Sequence, residues 1–578
     1  MRLNKLTILT VGFVLMATLG FKIAKKIHRY IIRPKLFDTR KIISGIPSTT
    51  EGLKVFVASS LDRVFLNGKT LLKPSFSRSA SISSAGNGYE SFQIVVDSPF
   101  KDQPGVFLQT SDFVDSKKTT KISRDNFTWT VVGYVQTLPP YYPVKFVGLW
   151  PDPLLRLKSY DVKAGTTQPF WLTVYIPQDT PAGDYTATVT VKGLNFPAQT
   201  VPVKLHVYPF ALPQESHLKT AFDFYGHLTK LHYPQGQEES TASWYARLDD
   251  INDKFIIDML KHRMNPILNL DPSSQVELSK IDRYRTFGLN NFAIGKHGGT
   301  FDNNWPKDDP SIEGLRVTYQ TYGEDLKLNQ LLDFTYVYTW DEGQIGNPLV
   351  PKIASMIHRA YPGLKNMVCY HGFWDPAQNP GWGRDLDIWA FQMDDFNEEK
   401  MHQLQKMGME IWMYASGPSG TNSPNLALDF DSIDYRIIPW ICWKYDIRGF
   451  LYWCVNWWPN ADPFKNARNT QWEQNGNGLL FYPGDDGPWD SLRVENFRDG
   501  MQDYEYIQIL LNKLRVFHAK GLEQEYKKYF DQSVKLLTMD DSLVKSMWHF
   551  TKEGDYLKSR RDAIALEIEE INSLPGVR

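Results

Sequence analysis

Two kinds of hydrophobic periodicity divide the chain. In residues 185–191 and 201–207 every second side chain is apolar, and between about residue 53 and residue 209 helical spacing is nearly absent. A period of two buries one face of a strand and leaves the other in solvent. We therefore predict an antiparallel β-sandwich over residues 51–211.

From residue 212 onward, short apolar runs alternate with amphipathic helices such as the one carrying Leu248, Phe255 and Met259. The predicted strands are 220–224, 266–270, 291–294, 334–339, 367–370, 388–391, 411–414 and 450–453. Strands that alternate with helices predict a parallel sheet, and eight of them predict a closed (β/α)8 barrel of the TIM type. We place this barrel at residues 212–490. An open, doubly wound sheet is the alternative, but the dinucleotide-binding pattern G-x-G-x-x-G is missing after the first strand.

The last part of the chain has helical periodicity. Phe497, Met501, Tyr504, Ile507 and Leu511 form one apolar stripe, which is typical of a helix with one buried face. We predict a C-terminal helical cap over residues 491–578, packed against the barrel.

The N-terminus carries an apolar run, residues 6–21, with basic residues on both sides. The run is longer than most signal-peptide cores and shorter than a full membrane span, and no A-x-A cleavage site follows it. We interpret residues 1–22 as a signal-anchor or signal peptide and residues 23–50 as a basic stalk. The protein is then exported, as a single-pass membrane-anchored or a secreted protein.

Composition narrows the classes of function. The chain has 578 residues with 64 Lys plus Arg against 65 Asp plus Glu, a balance that argues against a nucleic-acid partner. Aromatic residues make up 14% of the chain, including 18 Trp and 29 Tyr; such rings either fill large cores or stack on sugars. Cys369, Cys442 and Cys454 form no C-x-x-C pair, which argues against a thiolate metal site. We predict that they are small buried residues, with one disulfide among them as the open alternative, and we expect no metal and no cofactor.

Chemically active residues follow the predicted barrel strands. In a barrel of this type the catalytic groups lie at the carboxyl ends of the strands. Those ends carry Asp341 and Glu342 after the fourth strand, His371 and Trp374 after the fifth, Tyr414 on the seventh, and Trp453, Asn456 and Trp457 on and after the eighth. An Asp-Glu pair alone is more typical of a helix start. Its position among aromatic residues instead favours a carbohydrate site, with the acidic pair as catalytic groups and the others as substrate contacts. Asp223 at the first strand and Asp394 and Asp395 after the sixth are lesser candidates, more typical of structural residues.

The adjacency of Asp341 and Glu342 limits the mechanism. Ordinary glycosidases place two carboxyl groups on opposite sides of the scissile bond, about 5–5.5 Å apart for retention and about 6.5–9.5 Å for inversion. Neighbours in sequence do not easily straddle a sugar. They can work together if Glu342 is the general acid and Asp341 holds a substrate acetamido group whose oxygen attacks the anomeric carbon. The acid then needs a raised pKa, which we expect aromatic and partly dry surroundings to provide.

Several sequence blocks resemble family 123 glycoside hydrolases and their uncharacterised relatives. The blocks are 181–185 (PAGDY), 336–342 (YVYTWDE), 449–453 (GFLYW), 478–483 (GLLFYP), 491–495 (SLRVE) and 498–505 (RDGMQDYE). The resemblance covers about residues 50–515. In that family the acidic pair is usually followed by proline, whereas Gly343 follows it here.

This resemblance implies a sandwich, a (β/α)8 barrel, and retaining exo-hydrolysis of β-linked N-acetylgalactosamine by substrate assistance. Carried over, Asp341 orients and polarises the acetamido group, Glu342 is the acid/base, and Tyr414 and Trp453 lie near the substrate. The last block is helical and carries Arg493, Arg498 and Asp503, which we expect to form a structural Arg–carboxylate network between cap and barrel.

Three hypotheses follow from the sequence. The first is a retaining exo-β-N-acetylhexosaminidase with a preference for N-acetylgalactosamine. The second is a glycosidase for another sugar, in which Glu342 works with a carboxylate from a different loop. The third is a catalytically inactive, surface-anchored glycan-binding protein. The intact acidic pair favours the two enzymes.

Overall fold

The structure, a computed structural model, describes residues 52–68, 77–299, 303–417, 423–458, 462–468 and 472–577. The predicted signal-anchor and stalk, residues 1–50, lie outside the described residues. Within the described part of the chain, no helix has the length and apolar character needed to cross a membrane.

Two β-sheets form the N-terminal region, which we call the sandwich. Its strands are β1 (Lys54–Ser59), β2 (Ala80–Gly86), β3 (Gly88–Ser98), β4 (Gln103–Thr110), β5 (Phe113–Asp115), β6 (Lys121–Ile122), β7 (Phe127–Gln136), β8 (Leu149–Leu155), β9 (Tyr160–Val162), β10 (Thr166–Ile176), β11 (Gly183–Lys192) and β12 (Gln199–Ala211). The strand order is β1-β3-β10-β7-β8 in one sheet and β2-β12-β11-β4-β9 in the other. Ile94 and Phe170 of the first sheet pack with Val189 and Leu205 of the second in one core. The pairing is antiparallel as predicted, except that β2 runs parallel to β12.

A parallel sheet follows and curls into a nearly closed barrel of seven strands. These strands are β13 (Lys219–Phe222), β14 (Phe292–Ala293), β15 (Thr335–Asp341), β16 (Asn366–Tyr370), β17 (Ile388–Gln392), β18 (Glu410–Ala415) and β19 (Gly449–Tyr452). Their order is β13-β19-β18-β17-β16-β15-β14. Between the two ends of this order, only the single bridges Phe222–Pro266 and Leu270–Ile294 join the described residues. The segment 266–270 therefore lies in the gap without forming the regular strand that we predicted there.

Helices surround the outside of this sheet. They are α1 (Thr241–Lys261), α2 (Gln275–Arg285), α3 (Asp309–Gly314), α4 (Arg316–Leu328), α5 (Leu349–Ala360), α6 (Glu398–Lys406), α7 (Ser432–Arg436) and α8 (Ile438–Lys444). Outward-facing strand residues such as Val337 and Val368 share a large core with helix residues such as Ile353. The inward-facing residues of the strands form a separate cluster that includes Tyr338, Cys369 and Tyr414. Polar groups that extend this inner row at the carboxyl ends of the strands therefore meet at the mouth of the barrel.

The C-terminal part is helical, as predicted, with two short hairpins. Its elements are β20 (Tyr482–Pro483), β21 (Pro488–Trp489), α9 (Leu492–Lys520), α10 (Lys527–Leu537), β22 (Val544–Ser546), β23 (His549–Phe550) and α11 (Gly554–Asn572). The Ser491 side chain accepts a hydrogen bond from Val494 N and caps α9. Cys369, Cys442 and Cys454 are buried and free, in agreement with their prediction as small core residues.

The predicted Arg–carboxylate network is present around α9. Arg436 pairs with Asp503 at 2.8 Å, and Arg498 pairs with Glu495, also at 2.8 Å. Arg493 instead reaches Asp152 of the sandwich at 2.7 Å, with both side chains fully buried. The network therefore joins the helical part to the sandwich as well as to the barrel.

Candidate active site

A β-bulge in β15 brings the first carboxylate of the pair to the mouth of the barrel. Tyr338 pairs with Met367, but the next paired residue is Trp340, opposite Val368, so the register shifts by one. Two residues oppose one at such a bulge, which reverses the alternation of faces beyond it. Trp340 consequently packs in the outer core. Asp341, opposite Cys369, follows Tyr338 on the inner side.

Asp341 lies in a mostly dry position above the inner core of the barrel. The Tyr338 hydroxyl donates a hydrogen bond of 2.7 Å to Asp341 Oδ1. Burial raises the pKa of Asp341 to about 6, with a further rise from the charge of Glu342, while the hydrogen bonds from Tyr338 and Cys369 oppose the shift. Asp341 is therefore the carboxyl of the pair that loses its proton at the higher pH.

Glu342 turns away from Asp341 because of its backbone conformation. Its φ is +50° and that of Gly343 is +98°, so both residues lie in the left-handed region that favours glycine. A proline, which is fixed near a φ of −65°, could not replace Gly343 in this turn. The Glu342 amide still donates to the Cys369 carbonyl at 2.7 Å, which fixes the start of the turn against β16.

Two side chains hold the Glu342 carboxylate. The Tyr414 hydroxyl donates to Glu342 Oε1 at 3.0 Å, and His371 Nε2 lies 3.4 Å from the same oxygen. The hydrogen bond from His371 lowers the pKa of Glu342, helped by that from Tyr414 and opposed by burial. Our expectation of a raised pKa for this residue is therefore wrong for the substrate-free protein.

His371 is held as a cation by two carboxylates. Its Nδ1 lies 2.8 Å from Asp395 Oδ2, on the other side of the ring from Glu342. The hydrogen bonds to Asp395 and Glu342 raise the pKa of His371 to about 10. From the sequence alone, Asp394 and Asp395 are only lesser candidates for the site, more typical of structural residues. Nothing in the sequence indicates that Asp395 contacts His371.

A third carboxyl group, Asp223, lies at the same end of the barrel. Asp223 follows β13. Its backbone is hydrogen-bonded to β19 and to the loop after β19; for example, Asp223 N donates to the Tyr452 carbonyl at 3.1 Å. Burial raises the pKa of Asp223 to about 7, and the charge of Asp341 adds to the rise. Asp223 is another lesser candidate in the sequence, and the structure brings it near the acidic pair.

The tryptophan candidates after β16 and β19 divide into two groups. Trp453 and Trp457 are half-buried with their ring centres 5.6 Å apart, and Trp453 Nε1 donates to Asn477 Oδ1 at 2.8 Å. Trp374 is buried, and its Nε1 donates to the Asn379 carbonyl. It packs in the core and offers no open face to a sugar, which differs from our expectation.

Asn456 has a different role from the predicted substrate contact. Its side chain is buried and accepts from Tyr225 N at 2.9 Å while donating to Tyr225 O at 3.0 Å. Both ends of the amide are therefore used to tie the loop after β19 to the loop after β13. This double hydrogen bond fixes the neighbouring Trp457.

One cluster among the described residues has metal-like geometry, but it lies on α1 and next to α9. Asp258, His262 and Asp490 place ligand atoms within 4.8 Å of one another. The Arg156 guanidinium lies 3.2 Å from Asp490 and 3.7 Å from Asp258, and His262 Nε2 lies 3.4 Å from Glu495. These ion pairs already balance the carboxylates.

Two family models match the chain in separate stretches. Residues 325–510 match the catalytic domain of glycoside hydrolase 123, and residues 90–193 match the glycoside hydrolase 123 N-terminal domain. Together the two stretches span about half of the 578 residues. The first includes the acidic pair, His371, Tyr414 and α9, and the second lies within the sandwich.

The chain also resembles solved structures. A family 123 glycoside hydrolase from Clostridium perfringens, studied for the hydrolysis of glycolipid glycans, superposes with a TM-score of 0.65 at 14% identity, covering 90% of this chain and 98% of that one. A family 39 glycoside hydrolase from Bacteroides cellulosilyticus WH2 gives a TM-score of only 0.34 at 11% identity, covering 74% and 81%, a likeness too low to carry an argument. No curated protein matches the chain significantly.

Proposed function

The chain belongs to glycoside hydrolase family 123 and is a glycoside hydrolase, and from that premise we propose that it is a retaining exo-β-N-acetylhexosaminidase. The proposed substrate is a glycan that ends in β-linked N-acetylgalactosamine. The observation that carries the proposal is the split of the acidic pair. Asp341 points inward beside Tyr338, while Glu342 turns toward His371 and Tyr414.

The proposed reaction assigns a separate task to each carboxyl group. Asp341 accepts a hydrogen bond from the N–H of the substrate acetamido group. This hydrogen bond orients the acetamido carbonyl oxygen toward the anomeric carbon. That oxygen forms a bond to C1 as the glycosidic C1–O bond breaks, and Glu342 gives its proton to the leaving oxygen. Water then adds to C1 of the cyclic intermediate, Glu342 takes the proton from the water, and the acetamido group is released with the β configuration retained.

The surroundings of the pair support this division of tasks. The buried position of Asp341 strengthens its interaction with an N–H donor, because a low dielectric strengthens electrostatic attraction. The Tyr414 hydroxyl keeps Glu342 Oε1 at a fixed place. Half-buried Trp453 and Trp457 supply aromatic faces and edges for the sugar ring.

The finer description of the barrel is part of this proposal. We take segment 266–270, bridged at Pro266 to β13 and at Leu270 to Ile294, as the eighth position of a (β/α)8 barrel. We also propose domain boundaries at residues 211/212 and 490/491. Export of the protein by means of residues 1–22 is part of the same proposal.

A direct test uses 4-nitrophenyl β-N-acetylgalactosaminide with the wild type, Asp341→Asn and Glu342→Gln. We expect wild-type turnover and a loss of about 100-fold or more in kcat for each variant, since general acid–base groups contribute about 10²–10⁴-fold. Asp485→Asn, which changes an exposed carboxylate, is the matched control and should retain full activity. Absence of wild-type turnover would refute the proposed substrate, and turnover of the matching galactoside without an acetamido group would refute substrate assistance.

The second candidate function is a glycosidase for another sugar, and the observation that favours it is Asp223. This carboxyl comes from a different loop than Glu342 and has a pKa raised to about 7 by burial. In that case Glu342 and Asp223 would form the two-carboxylate arrangement of ordinary glycosidases. Asp223→Asn would then abolish hydrolysis of sugars that lack an acetamido group, whereas under the leading proposal such sugars are not hydrolysed at all.

A further inference from the structure

The loop between β7 and β8 leaves the sandwich and docks on the barrel mouth. Leu138 N donates to Asn475 Oδ1 at 3.1 Å, and Asn475 Nδ2 donates back to the Leu138 carbonyl at 2.8 Å. Further along, the Tyr142 hydroxyl donates to Asp429 Oδ1 at 2.8 Å. These buried hydrogen bonds fix the loop on segments that follow β18 and β19, so Tyr141 between them has a defined position.

Tyr141 has an exposed aromatic ring at the mouth of the barrel. The residue is 47% exposed, and its hydroxyl accepts a hydrogen bond of 2.7 Å from Gln474 Nε2. Gln474 Oε1 in turn accepts from Asn477, whose Oδ1 accepts from Trp453 Nε1 at 2.8 Å. A continuous chain of hydrogen bonds thus connects the sandwich tyrosine to the tryptophan that follows the last barrel strand.

The position of Gln474 depends on a glycine beyond β18. A Cβ at Gly417 would lie 1.4 Å from Gln474 Nε2, so the amide occupies the space that any other residue would fill. Gly417 is three residues after Tyr414, the hydroxyl donor to Glu342. Through Gln474, Tyr141 is therefore linked to the segment that directly follows Tyr414.

Tyr141 also lies on the Glu342 side of the site. Glu342 contacts His371, and His371 contacts Asp395. Burial raises the pKa of Tyr141, and the charge of Asp394, the neighbour of Asp395, adds to that rise. Asp341, by contrast, faces Tyr338 and Asp223. Because the acid protonates the leaving oxygen, the leaving group lies on the Glu342 side of the site in the proposed reaction.

A second exposed aromatic residue lies at the mouth of the barrel. Trp472 is 45% exposed, and its ring lies edge-on to Trp453 with the centres 5.9 Å apart. Large aromatic side chains lose apolar stabilisation when left in water, and their faces are suited to the apolar face of a sugar ring. Tyr141 and Trp472 are therefore both connected to Trp453, Tyr141 through hydrogen bonds and Trp472 through its ring.

From these contacts we propose that Tyr141 and Trp472 form a binding subsite for the leaving group, and that this group is itself a sugar. The proposal rests on the proposed function and extends it. One of the two aromatic residues belongs to the sandwich and the other to the barrel. The sandwich then takes part in substrate selection, and glycans with a sugar next to the terminal residue are preferred over simple glycosides.

The kinetic test compares two substrates with the same kind of leaving oxygen. One is N-acetylgalactosaminyl-β-1,3-galactose as its methyl glycoside, and the other is methyl β-N-acetylgalactosaminide, which has no leaving-group ring. We expect Tyr141→Ala to lower kcat/KM for the disaccharide about five- to tenfold, as for the loss of one aromatic contact, and to leave the methyl glycoside unchanged. Trp472→Ala should act in the same direction.

Two matched variants control this experiment. Tyr141→Phe keeps the ring and removes the hydroxyl that accepts from Gln474, so it should retain most of the disaccharide activity. Tyr245→Ala removes another exposed tyrosine, 56% exposed on α1, and should change neither substrate. Equal losses on both substrates in Tyr141→Ala, or no loss on either, would overturn the proposal.

A binding measurement separates this proposal from the function on which it rests. Saturation-transfer NMR with methyl β-galactoside reports contact of a sugar with the protein without turnover. We expect transfer in the wild type and its loss in Tyr141→Ala, even if no hexosaminide is hydrolysed. Equal transfer in both proteins would contradict the subsite while leaving the hydrolysis of N-acetylgalactosaminides untouched.

Discussion

At the scale of single residues, two neighbouring carboxyl groups have their pKa values moved in opposite directions. Burial raises that of Asp341 to about 6, and the hydrogen bond from His371 lowers that of Glu342. The proposed reaction needs a proton on Glu342 and none on Asp341. That arrangement is one of the two forms of the pair that carries a single proton.

The pH dependence of kcat/KM tests this view of the pair. Below the higher of the two pKa values the pair carries one proton. It loses this proton as the pH rises through about 6. Since kcat/KM reports ionisations of the free enzyme, we expect it to be highest on the acid side of pH 6. It should fall about tenfold for each pH unit above that value. A profile that stays flat up to pH 8 would contradict a required proton on the pair.

Replacement of His371 should move this profile. The imidazolium of His371, with its pKa raised to about 10 by Asp395 and Glu342, favours the ionised form of Glu342. In His371→Asn that cation is absent, so the pKa of Glu342 rises and the proton stays on the pair to higher pH. We therefore expect the alkaline limb of kcat/KM to shift to higher pH.

The control for this prediction is His402→Asn, which removes a half-exposed histidine on α6. It should leave the alkaline limb in place. An unchanged limb in His371→Asn would mean that the histidine does not set the proton affinity of Glu342. The same profile measured for Asp341→Asn should lose the limb near pH 6 altogether.

The residue types at the site could be predicted from the sequence, but their orientation could not. Strict alternation along β15 would turn Trp340 inward with Tyr338 and turn Asp341 outward. The bulge reverses this, and it is visible only in the pairing of β15 with β16. The partner of His371 is hidden for a related reason, because Asp395 comes from another loop.

At the scale of elements, seven of the eight predicted barrel strands are present with bounds close to those predicted. The segment 266–270 differs for local reasons. Pro266 has no N–H to give to a neighbouring strand, and Asn269 has a φ of +45°, which interrupts the extended conformation. Hydrophobic periodicity records burial, and this segment is largely buried in the gap even though its backbone is irregular.

The attachment of α9 depends on a buried ion pair. Arg493 donates three hydrogen bonds to the Asp152 carboxylate and one each to the carbonyls of Leu426 and Gly476, at 2.9 and 2.8 Å. Arg493→Met removes these hydrogen bonds and leaves Arg63, 3.8 Å away, as the remaining cation beside Asp152. We expect a loss of about 3–5 kcal/mol in the free energy of unfolding. Urea denaturation followed by circular dichroism measures this change.

Two further variants make the Arg493 measurement specific. Arg448→Met breaks an ion pair with Asp446 in which both side chains are more than half exposed, so it should cost under about 1 kcal/mol. Asp152→Asn removes the carboxylate that Arg493 and Arg63 share, so it leaves two buried cations without this partner and should cost at least as much as Arg493→Met. An Arg493→Met variant as stable as the wild type would show that the pair does not hold α9.

At the scale of the whole molecule, α9 and α11 connect the sandwich to the rest of the chain. Glu495 accepts hydrogen bonds from Trp171 Nε1 at 3.1 Å and from Ser91 Oγ at 3.0 Å. Arg561 on α11 pairs with Glu90 at 2.6 Å. The partners are 324, 404 and 471 residues apart in sequence. The sequence predicts separate regions from their periodicity but contains no local signal for contacts at such separations.

These contacts predict that the sandwich, the barrel and the helical part unfold as one unit. The buried cations Arg493 and Arg561 pair with Asp152 and Glu90 of the sandwich, and separation of the sandwich would break these pairs at a cost of several kcal/mol for each. We expect thermal unfolding of residues 52–577 to follow a single transition, with the same midpoint by tryptophan fluorescence and by far-UV circular dichroism. A fragment that begins at residue 212 should lack the near-UV signal of a packed core, and cooperative unfolding of that fragment would contradict the prediction.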